Sequence, residues 1–149
     1  MTEVRKNIYN YKKNEKWVLV DGSPGIGCVV IASITGTDAV VAVSEPTKSG
    51  RSDLERVLGV AGHFGIPAFV CINKYDLNPE VTLEIEDFCR SNGYPVIGKI
   101  PFDPSIVKAL QEFKTPVEAG NNTITNEIIS IWMRLTGEME KLELERAKY

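Results

Sequence analysis

The sequence predicts an α/β fold in three layers, with a mostly parallel β-sheet flanked by helices on both faces. Short apolar runs rich in β-branched residues alternate along the chain with longer segments of helical periodicity. The apolar runs are continuous, as expected of strands that are covered on both faces. The segments between successive runs are long enough for the right-handed crossovers that parallel neighbours require.

Four strands and three connecting helices are predicted in order. The strands are residues 17–20, 39–43, 67–72 and 94–98, and the helices are residues 50–64, 79–92 and 103–113. The helix at 79–92 begins at Pro79 and ends at Asn92-Gly93, which are typical boundary residues. The helix at 103–113 begins with Asp103 as its N-cap, and Pro104 takes the first helical position. A long C-terminal helix is predicted at 123–149, where apolar residues recur at helical spacing.

Composition limits the class of protein. The 149 residues are predicted to form a single domain over 1–149. The formal net charge of −3 gives no reason to expect a nucleic-acid partner, which needs a clustered basic face. No apolar run has the length of a signal peptide or a membrane span, so we expect no membrane partner and a cytoplasmic location. Three cysteines without Cys-x-x-Cys spacing predict neither a disulfide framework nor a metal site.

The residues that follow the predicted strands are the candidates for a ligand site. Ligands of open parallel sheets bind outside the carboxyl ends of the strands. Polar or Gly/Pro-rich segments follow all four strands, at residues 21–25, 44–47, 73–76 and 99–103. We therefore expect these segments to converge on one edge of the sheet.

Asp21 is the strongest single candidate, because it follows an apolar run and precedes a Gly/Pro turn. A strand-end carboxylate can hold Mg²⁺ through the water molecules that this ion retains. Gly22 and Gly25 would let backbone N–H groups approach a phosphate, since neither residue has a Cβ. The alternative is that Asp21 merely forms a turn before a helix.

Residues 73–76 spell Asn-Lys-Tyr-Asp, which matches the N-K-x-D motif that reads guanine in GTPases. Three interpretations stay open on these residues alone: guanine recognition by Asp76, adenine contact by Asn73, or a plain turn. The chain contains no G-x-x-x-x-G-K-[ST] sequence and no similar lysine-bearing glycine loop. The phosphate side of a nucleotide site is therefore incomplete in these 149 residues.

Taken together, four segments resemble the C-terminal half of the MinD-superfamily P-loop ATPases. They are residues 20–28, 44–56, 71–78 and 98–103. The resemblance is strongest to the branch that carries an inserted ferredoxin-like cluster domain. It implies an incomplete P-loop NTPase-like fold, in which this chain is the C-terminal portion of a MinD-like ATPase domain, either a natural split product or a shortened piece.

The resemblance also implies the site and its cofactors, ATP and Mg²⁺. Asp21 would hold the Mg²⁺ through water, and the base would be adenine rather than guanine. The implied nucleotide contacts are Gly22, Ser23, Pro24 and Gly25 on the phosphate side, and Asn73, Pro101, Phe102 and Asp103 on the base side.

The glycine-rich loop and the cysteine-rich insertion of the family are both absent from the chain. In the family the loop strand lies between the strands that correspond to 17–20 and 39–43, so these must pair directly or leave edges open. We therefore expect a homodimer or a partner chain that carries the P-loop half, in an iron–sulfur protein context.

Three functions follow, in order of preference. The first is a partial ATP-binding domain of a MinD/ParA-type ATPase, inactive in hydrolysis by itself. The second is a non-catalytic interaction module that pairs with another subunit. The third is a GTPase remnant, ranked last because Asp21 begins Asp-Gly-Ser-Pro-Gly rather than the D-x-x-G of ordinary GTPases.

Overall fold

The structure is a computed structural model that describes residues 16–22, 27–120 and 122–148. Within these ranges the chain forms five helices and three strands. In chain order they are α1 (Cys28–Ile34), β1 (Val40–Ser44), α2 (Lys48–His63), β2 (Ala68–Asn73), α3 (Pro79–Ser91), β3 (Val96–Ile100), α4 (Ser105–Gln111) and α5 (Asn122–Arg146). None of the helices in these ranges is both long and apolar enough to cross a membrane.

The three strands form one parallel sheet in the order β1-β2-β3. The central strand, β2, is buried from Ala68 to Ile72 because it has a neighbour on each edge and helices on each face. The register between β2 and β3 shifts once: Val70 lies opposite Val96, whereas Cys71 lies opposite Gly98. The predicted α/β class with a parallel, doubly covered sheet is confirmed.

One face of the sheet packs against α2 and α3. Its core consists of aliphatic and small side chains: Ala42, Leu54, Leu58, Ala61, Ala68, Val70, Ile72, Val81, Ile85 and Cys89. Side-chain caps begin both helices, since Thr47 Oγ1 accepts a hydrogen bond from Gly50 N (2.9 Å) and Asn78 Oδ1 accepts one from Val81 N (3.2 Å). These two caps explain why α2 and α3 begin where they do.

The other face of the sheet packs against α5. Phe69 and Ile97 of the sheet meet Leu135 and Met139 of the helix, and Trp17 lies at the margin of this cluster. Arg134 of α5 also reaches the sheet, where its Nη1 donates a hydrogen bond to Ile97 O (3.2 Å). Since Ile97 is the extra residue at the register shift, the arginine satisfies a carbonyl beside an irregular part of the ladder.

The predicted strand at residues 17–20 is wrong. These residues lie outside the sheet, and Leu19 keeps 77% of its surface exposed. An apolar run forms a buried strand only where another strand lies beside it, and none of the described strands pairs with this segment. Its anchor is instead Trp17, whose ring packs edge-on against that of Trp132 with centroids 5.2 Å apart.

Two further differences concern helices: one was not predicted, and one begins later than predicted. The sequence predicts nothing at 28–34, because four of the seven residues of α1 are Val or Ile, which are typical of strands. The helix predicted at 103–113 begins at Ser105, two residues late. The capping role of Asp103 is nevertheless present, since its Oδ1 accepts a hydrogen bond from Ser105 N (2.8 Å).

Candidate functional site

The three strands end at one edge of the sheet, at Ser44, Asn73 and Ile100. Three loops follow: the β1 loop (residues 45–47), the β2 loop (residues 74–78) and the β3 loop (residues 101–104). Because all three strands are parallel, these loops lie side by side at their carboxyl ends. Side chains from the β2 loop join it to both neighbours.

An ion pair joins the β1 and β2 loops. Lys74 Nζ lies 2.7 Å from Glu45 Oε1, and the two side chains are 37% and 45% exposed. The backbone of Lys74 has a φ of 54°, in the left-handed region that side-chain-bearing residues rarely adopt. This backbone turn directs the chain out of β2 at the point where its side chain meets Glu45.

Two hydrogen bonds join the β2 loop to β3 and to the β3 loop. Asp76 Oδ1 accepts a hydrogen bond from Phe102 N (2.7 Å), and Tyr75 N donates one to Ile100 O (3.2 Å). The β2 loop is in turn fixed to α3, because Thr82 Oγ1 donates to Tyr75 O (2.7 Å). The β2 loop is therefore the element that holds this edge of the sheet together.

A second cation lies near the β2 loop. Lys99 Nζ is 5.0 Å from the centre of the Tyr75 ring and 2.9 Å from Glu86 Oε1. The lysine thus has a carboxylate partner and an aromatic face. These contacts connect β3 with the β2 loop and with α3.

The β1 loop returns closely onto the start of α2. Ser44 Oγ donates a hydrogen bond to Gly50 O (3.0 Å). A Cβ on Gly50 would overlap with Glu45 O and would lie 3.2 Å from Ser44 Oγ. Glycine is required here because the helix and the loop backbone approach each other without room for a side chain.

The buried thiols are not reactive groups of this edge. Burial raises the pKa of Cys71 and that of Cys89 to about 11. Both side chains therefore stay protonated near neutral pH and pack as small apolar groups. Cys28, at the start of α1, is exposed.

No family model matches the sequence. An uncharacterized protein of Methanocaldococcus jannaschii is 33% identical over 108 residues, which make up 72% of this chain and 35% of the relative. An uncharacterized ATP-binding protein of the same organism is 25% identical over 133 residues, covering 88% of this chain and 50% of the relative.

Among solved structures, the MinD cell division protein of Aquifex aeolicus has a TM-score of 0.74 both alone and in a MinC:MinD complex. The sequence identities are 23% and 24%, and the match covers 91% of this chain and 58% or 57% of that chain. The fold is that of the MinD ATPases. The chain spans a third to a half of the length of the curated relatives it matches.

Within this MinD-like fold, the base-side candidates lie together. Asn73 ends β2 and is half-buried, while Pro101 and Asp103 are half-buried and Phe102 is exposed in the β3 loop. The bond from Phe102 to Asp76 brings that loop against the residues that follow Asn73. Their roles as nucleotide contacts stay predictions.

The phosphate-side candidates are placed less closely. Asp21 and Gly22 are exposed and lie before α1, and a Cβ on Gly22 would be 3.5 Å from Ser33 Oγ. In the part of the chain that the structure describes, Asp21 makes no hydrogen bond or ion pair with the three loops. The remaining candidates of this side, Ser23, Pro24 and Gly25, lie outside the described residues.

The chemistry of the carboxylates bears on the implied Mg²⁺. Across residues 16–22, 27–120 and 122–148, no group of three or more His, Cys, Asp or Glu residues could hold a metal ion. A lone carboxylate such as Asp21 fits an ion whose remaining ligands are water and nucleotide phosphates, which is a common arrangement for Mg²⁺. These residues therefore fit an Mg²⁺ ion that is bound together with a nucleotide.

The sequence did not predict which groups Glu45, Lys74 and Asp76 contact. Each stands at the carboxyl end of a strand, which marks it as a candidate. The Lys74–Glu45 ion pair and the Asp76–Phe102 hydrogen bond depend on strand order, and no signal within a four-residue motif reports that order.

Proposed function

We propose that the chain supplies the base side and the Mg²⁺-side aspartate of a MinD/ParA-type ATP site. The observation that carries the proposal is the connection of all three strand-end loops through Lys74–Glu45 and Asp76–Phe102. Loops fixed to one another in this way form a single preorganised edge where a ligand of an open parallel sheet binds. The MinD-like fold and the ATP-binding relative favour a nucleotide as that ligand.

On the base side, Asn73 would contact adenine from the end of β2. Its carboxamide offers both a donor and an acceptor, which matches the amino group and ring nitrogen of adenine. Pro101, Phe102 and Asp103 would line the other wall of the base pocket.

On the phosphate side, Asp21 would hold the Mg²⁺ shell through water. Gly22, together with Ser23, Pro24 and Gly25, would sense the terminal phosphate through backbone N–H groups. When bound, Mg²⁺ would neutralise the phosphate charge that this chain alone does not balance.

The missing lysine-bearing glycine loop sets the expected affinity. Each charge-assisted contact that such a loop supplies stabilises the complex by roughly 1.5–3 kcal/mol. The loss of two such contacts weakens a micromolar site to about the millimolar range. We propose that these 149 residues act as the C-terminal portion of an ATPase domain, and that the P-loop half is supplied from outside them.

A calorimetric titration with ATP and with GTP, each with and without Mg²⁺, tests this proposal. We expect weak, Mg²⁺-dependent binding of ATP, and loss of that binding in Asn73→Ala. Asn92→Ala is the matched control, because Asn92 caps α3 through Phe88 O, away from the strand-end loops. Equal ATP affinity in both variants, or tighter binding of GTP than ATP, would exclude the proposed base site.

A second candidate function is an interaction module, which the outer edge of β1 favours. None of the described strands pairs with that edge, and Val43 keeps 65% of its surface exposed. The strand sequence Val-Val-Ala-Val-Ser contains no charged residue or proline, the residues that usually prevent strands from pairing with another chain. A homodimer or a P-loop-bearing partner chain would pair here.

Sedimentation equilibrium of the chain tests the homodimer. We expect self-association that Val43→Lys abolishes, because the lysine places a charge on the exposed face of β1. Val107→Lys is the control, since Val107 is exposed on α4. A monomer at millimolar concentration would leave a different partner chain as the occupant of this edge.

A further inference from the structure

Asp76, the last residue of the N-K-x-D sequence, is already engaged within the chain. Its Oδ1 accepts a hydrogen bond from the backbone N–H of Phe102 at 2.7 Å, across 26 residues of sequence. A carboxylate that accepts from a backbone N–H forms a stronger bond than a neutral acceptor does. The side chain therefore acts as a connection between the β2 and β3 loops.

Reading guanine would add two donors to a carboxylate that already accepts one hydrogen bond. The Watson–Crick edge of guanine presents two adjacent donors, and a carboxylate recognises both by offering both oxygens side by side. In this chain Oδ1 already has Phe102 N as its donor. If Asp76 turned to a guanine base, the Phe102 N–H would lose its partner and the β3 loop would lose its connection to the β2 loop.

The rest of the β2 loop leaves little freedom for such a turn. Tyr75 N donates to Ile100 O (3.2 Å), and Thr82 Oγ1 donates to Tyr75 O (2.7 Å). Leu77 N donates to Lys74 O (3.1 Å), so the loop is also closed upon itself. The backbone on either side of Asp76 is thus fixed to β3 and to α3.

We propose that Asp76 is a positioning residue that sets the distance between Asn73 and the β3 loop and thereby makes the site select adenine over guanine. The inference rests on the proposed function, because it assigns specificity to the same base pocket. With Asp76 bonded to Phe102, Asn73 would offer its carboxamide to the base at this edge. Asp76 shapes the pocket without touching the base.

Two variants separate positioning from base reading. Asp76→Asn keeps an oxygen that can accept from Phe102 N, whereas Asp76→Ala has none. Asp87→Ala is the matched control, because Asp87 is an exposed carboxylate on α3 whose partner is Arg90, and its loss changes the net charge equally. Two properties are measured on the full chain and on each variant: the hydrogen-exchange rate of the Phe102 amide without ligand, and the shifts of backbone amide signals on addition of ATP or GTP with Mg²⁺.

We expect the Phe102 amide to exchange about tenfold faster in Asp76→Ala than in the parent chain, and at nearly the parental rate in Asp76→Asn and Asp87→Ala. ATP affinity should fall by about tenfold in Asp76→Ala and by less than about threefold in Asp76→Asn. The preference for ATP over GTP should weaken in Asp76→Ala and be kept in Asp76→Asn.

Three results would overturn the inference. Unchanged Phe102 exchange in Asp76→Ala would show that the bond does not hold the loop. Faster exchange with unchanged ATP affinity would show that the bond does not position the base pocket. A GTP preference in the parent chain that is lost in Asp76→Asn would show that Asp76 reads the base.

The failure of the proposed function looks different from these results. If neither ATP nor GTP shifts any signal in the parent chain, the nucleotide site and its selectivity are both refuted, whatever the Phe102 exchange rates show. If ATP binds but the Phe102 exchange rates or the ATP-over-GTP preference differ from expectation, the proposed function stands and the positioning role of Asp76 is refuted.

Discussion

Gly98 of β3 lies directly against Ile131 of α5, so that a Cβ built on the glycine would overlap with Cγ1 of the isoleucine. The contact lies beside the cluster in which Ile97 of β3 meets Leu135 and Met139 of the helix. Arg134, three residues after Ile131, donates a hydrogen bond to Ile97 O from the same helix. The absence of a side chain at Gly98 therefore sets how closely α5 approaches the sheet.

A side chain at Gly98 should push the helix away. We expect Gly98→Ala to lower the free energy of unfolding by about 1–3 kcal/mol, the usual cost of overpacking a filled contact. Urea unfolding followed by circular dichroism measures the change. Gly59→Ala is the control, because a Cβ there would meet nothing within 4 Å, so alanine in the interior of α2 should stabilise by about 0.5–1 kcal/mol. Equal midpoints for the two variants would contradict the close approach of α5.

Phe113, just after α4, combines backbone strain with almost complete exposure. Its φ is 57° and its surface is 99% exposed, so the ring gains nothing from burial while the backbone occupies the left-handed region. We expect Phe113→Gly to stabilise the chain by about 1 kcal/mol, because glycine adopts this conformation without a steric cost. Phe64→Gly is the control, since Phe64, the residue after α2, has a φ of −89° and should gain nothing. Thermal unfolding compares the two, and a loss of stability in Phe113→Gly would show that the ring has a partner.

Local signals predict much of the fold and little of the contact pattern at the site. β2 and α3 are predicted almost to the residue, because β2 is an uninterrupted apolar run and α3 begins at a proline after an asparagine cap. Residues 17–20 have the same apolar character, yet they form no strand because strand formation depends on a neighbour that lies elsewhere in the sequence. α1 is missed because four of its seven residues are Val or Ile, which are typical of strands, although they form a helix here.

In the candidate site too, the sequence predicts where residues lie but not which residues they contact. The rule that ligands lie at the carboxyl ends of parallel strands places Asn73 and the β3 loop at one edge, as expected. The pairing of Lys74 with Glu45, and of Asp76 with Phe102, depends on which strands are neighbours and on the left-handed turn at Lys74. Such contacts are tertiary, so a four-residue motif carries no information about them.

The buried thiols predict how stability depends on pH. Burial raises the pKa of Cys71 from its ordinary value of 9.0 to about 11. As pH rises through this interval, the unfolded chain loses its thiol proton before the folded chain does, so the folded state loses stability. Near neutral pH both states keep the proton, and the thiol contributes no pH dependence.

We therefore expect the free energy of unfolding to fall between about pH 9 and pH 11, and to fall less steeply in Cys71→Ala. Cys28→Ala is the control, because Cys28 is exposed and its removal should leave the slope unchanged. Urea unfolding measured at about pH 8, 9 and 10 gives the slope of the unfolding free energy against pH. An identical slope in the two variants would show that Cys71 is accessible to water in the folded state.

The ion pair between Lys74 and Glu45 should contribute more to the shape of the site than to stability. Both side chains are more than one-third exposed, so water and salt screen their attraction. In a double-mutant cycle with Lys74→Met and Glu45→Gln, we expect a coupling free energy of about 0.2–1 kcal/mol at low salt that decreases as salt is added. The pair Lys141–Glu138, an exposed pair within α5, gives the reference cycle.

The two pairs should have similar coupling free energies, but their variants should differ in ATP affinity. Loss of the Lys74–Glu45 pair frees the β1 loop from the β2 loop, so ATP affinity should fall although the fold stays intact. Loss of the Lys141–Glu138 pair should leave ATP affinity unchanged, because α5 packs on the face of the sheet rather than at its carboxyl edge. Calorimetric ATP titrations of Lys74→Met, of Glu45→Gln and of a single variant at each of Lys141 and Glu138 test this expectation. Unaltered affinity in both Lys74→Met and Glu45→Gln would mean that the β1 loop is no part of the nucleotide site.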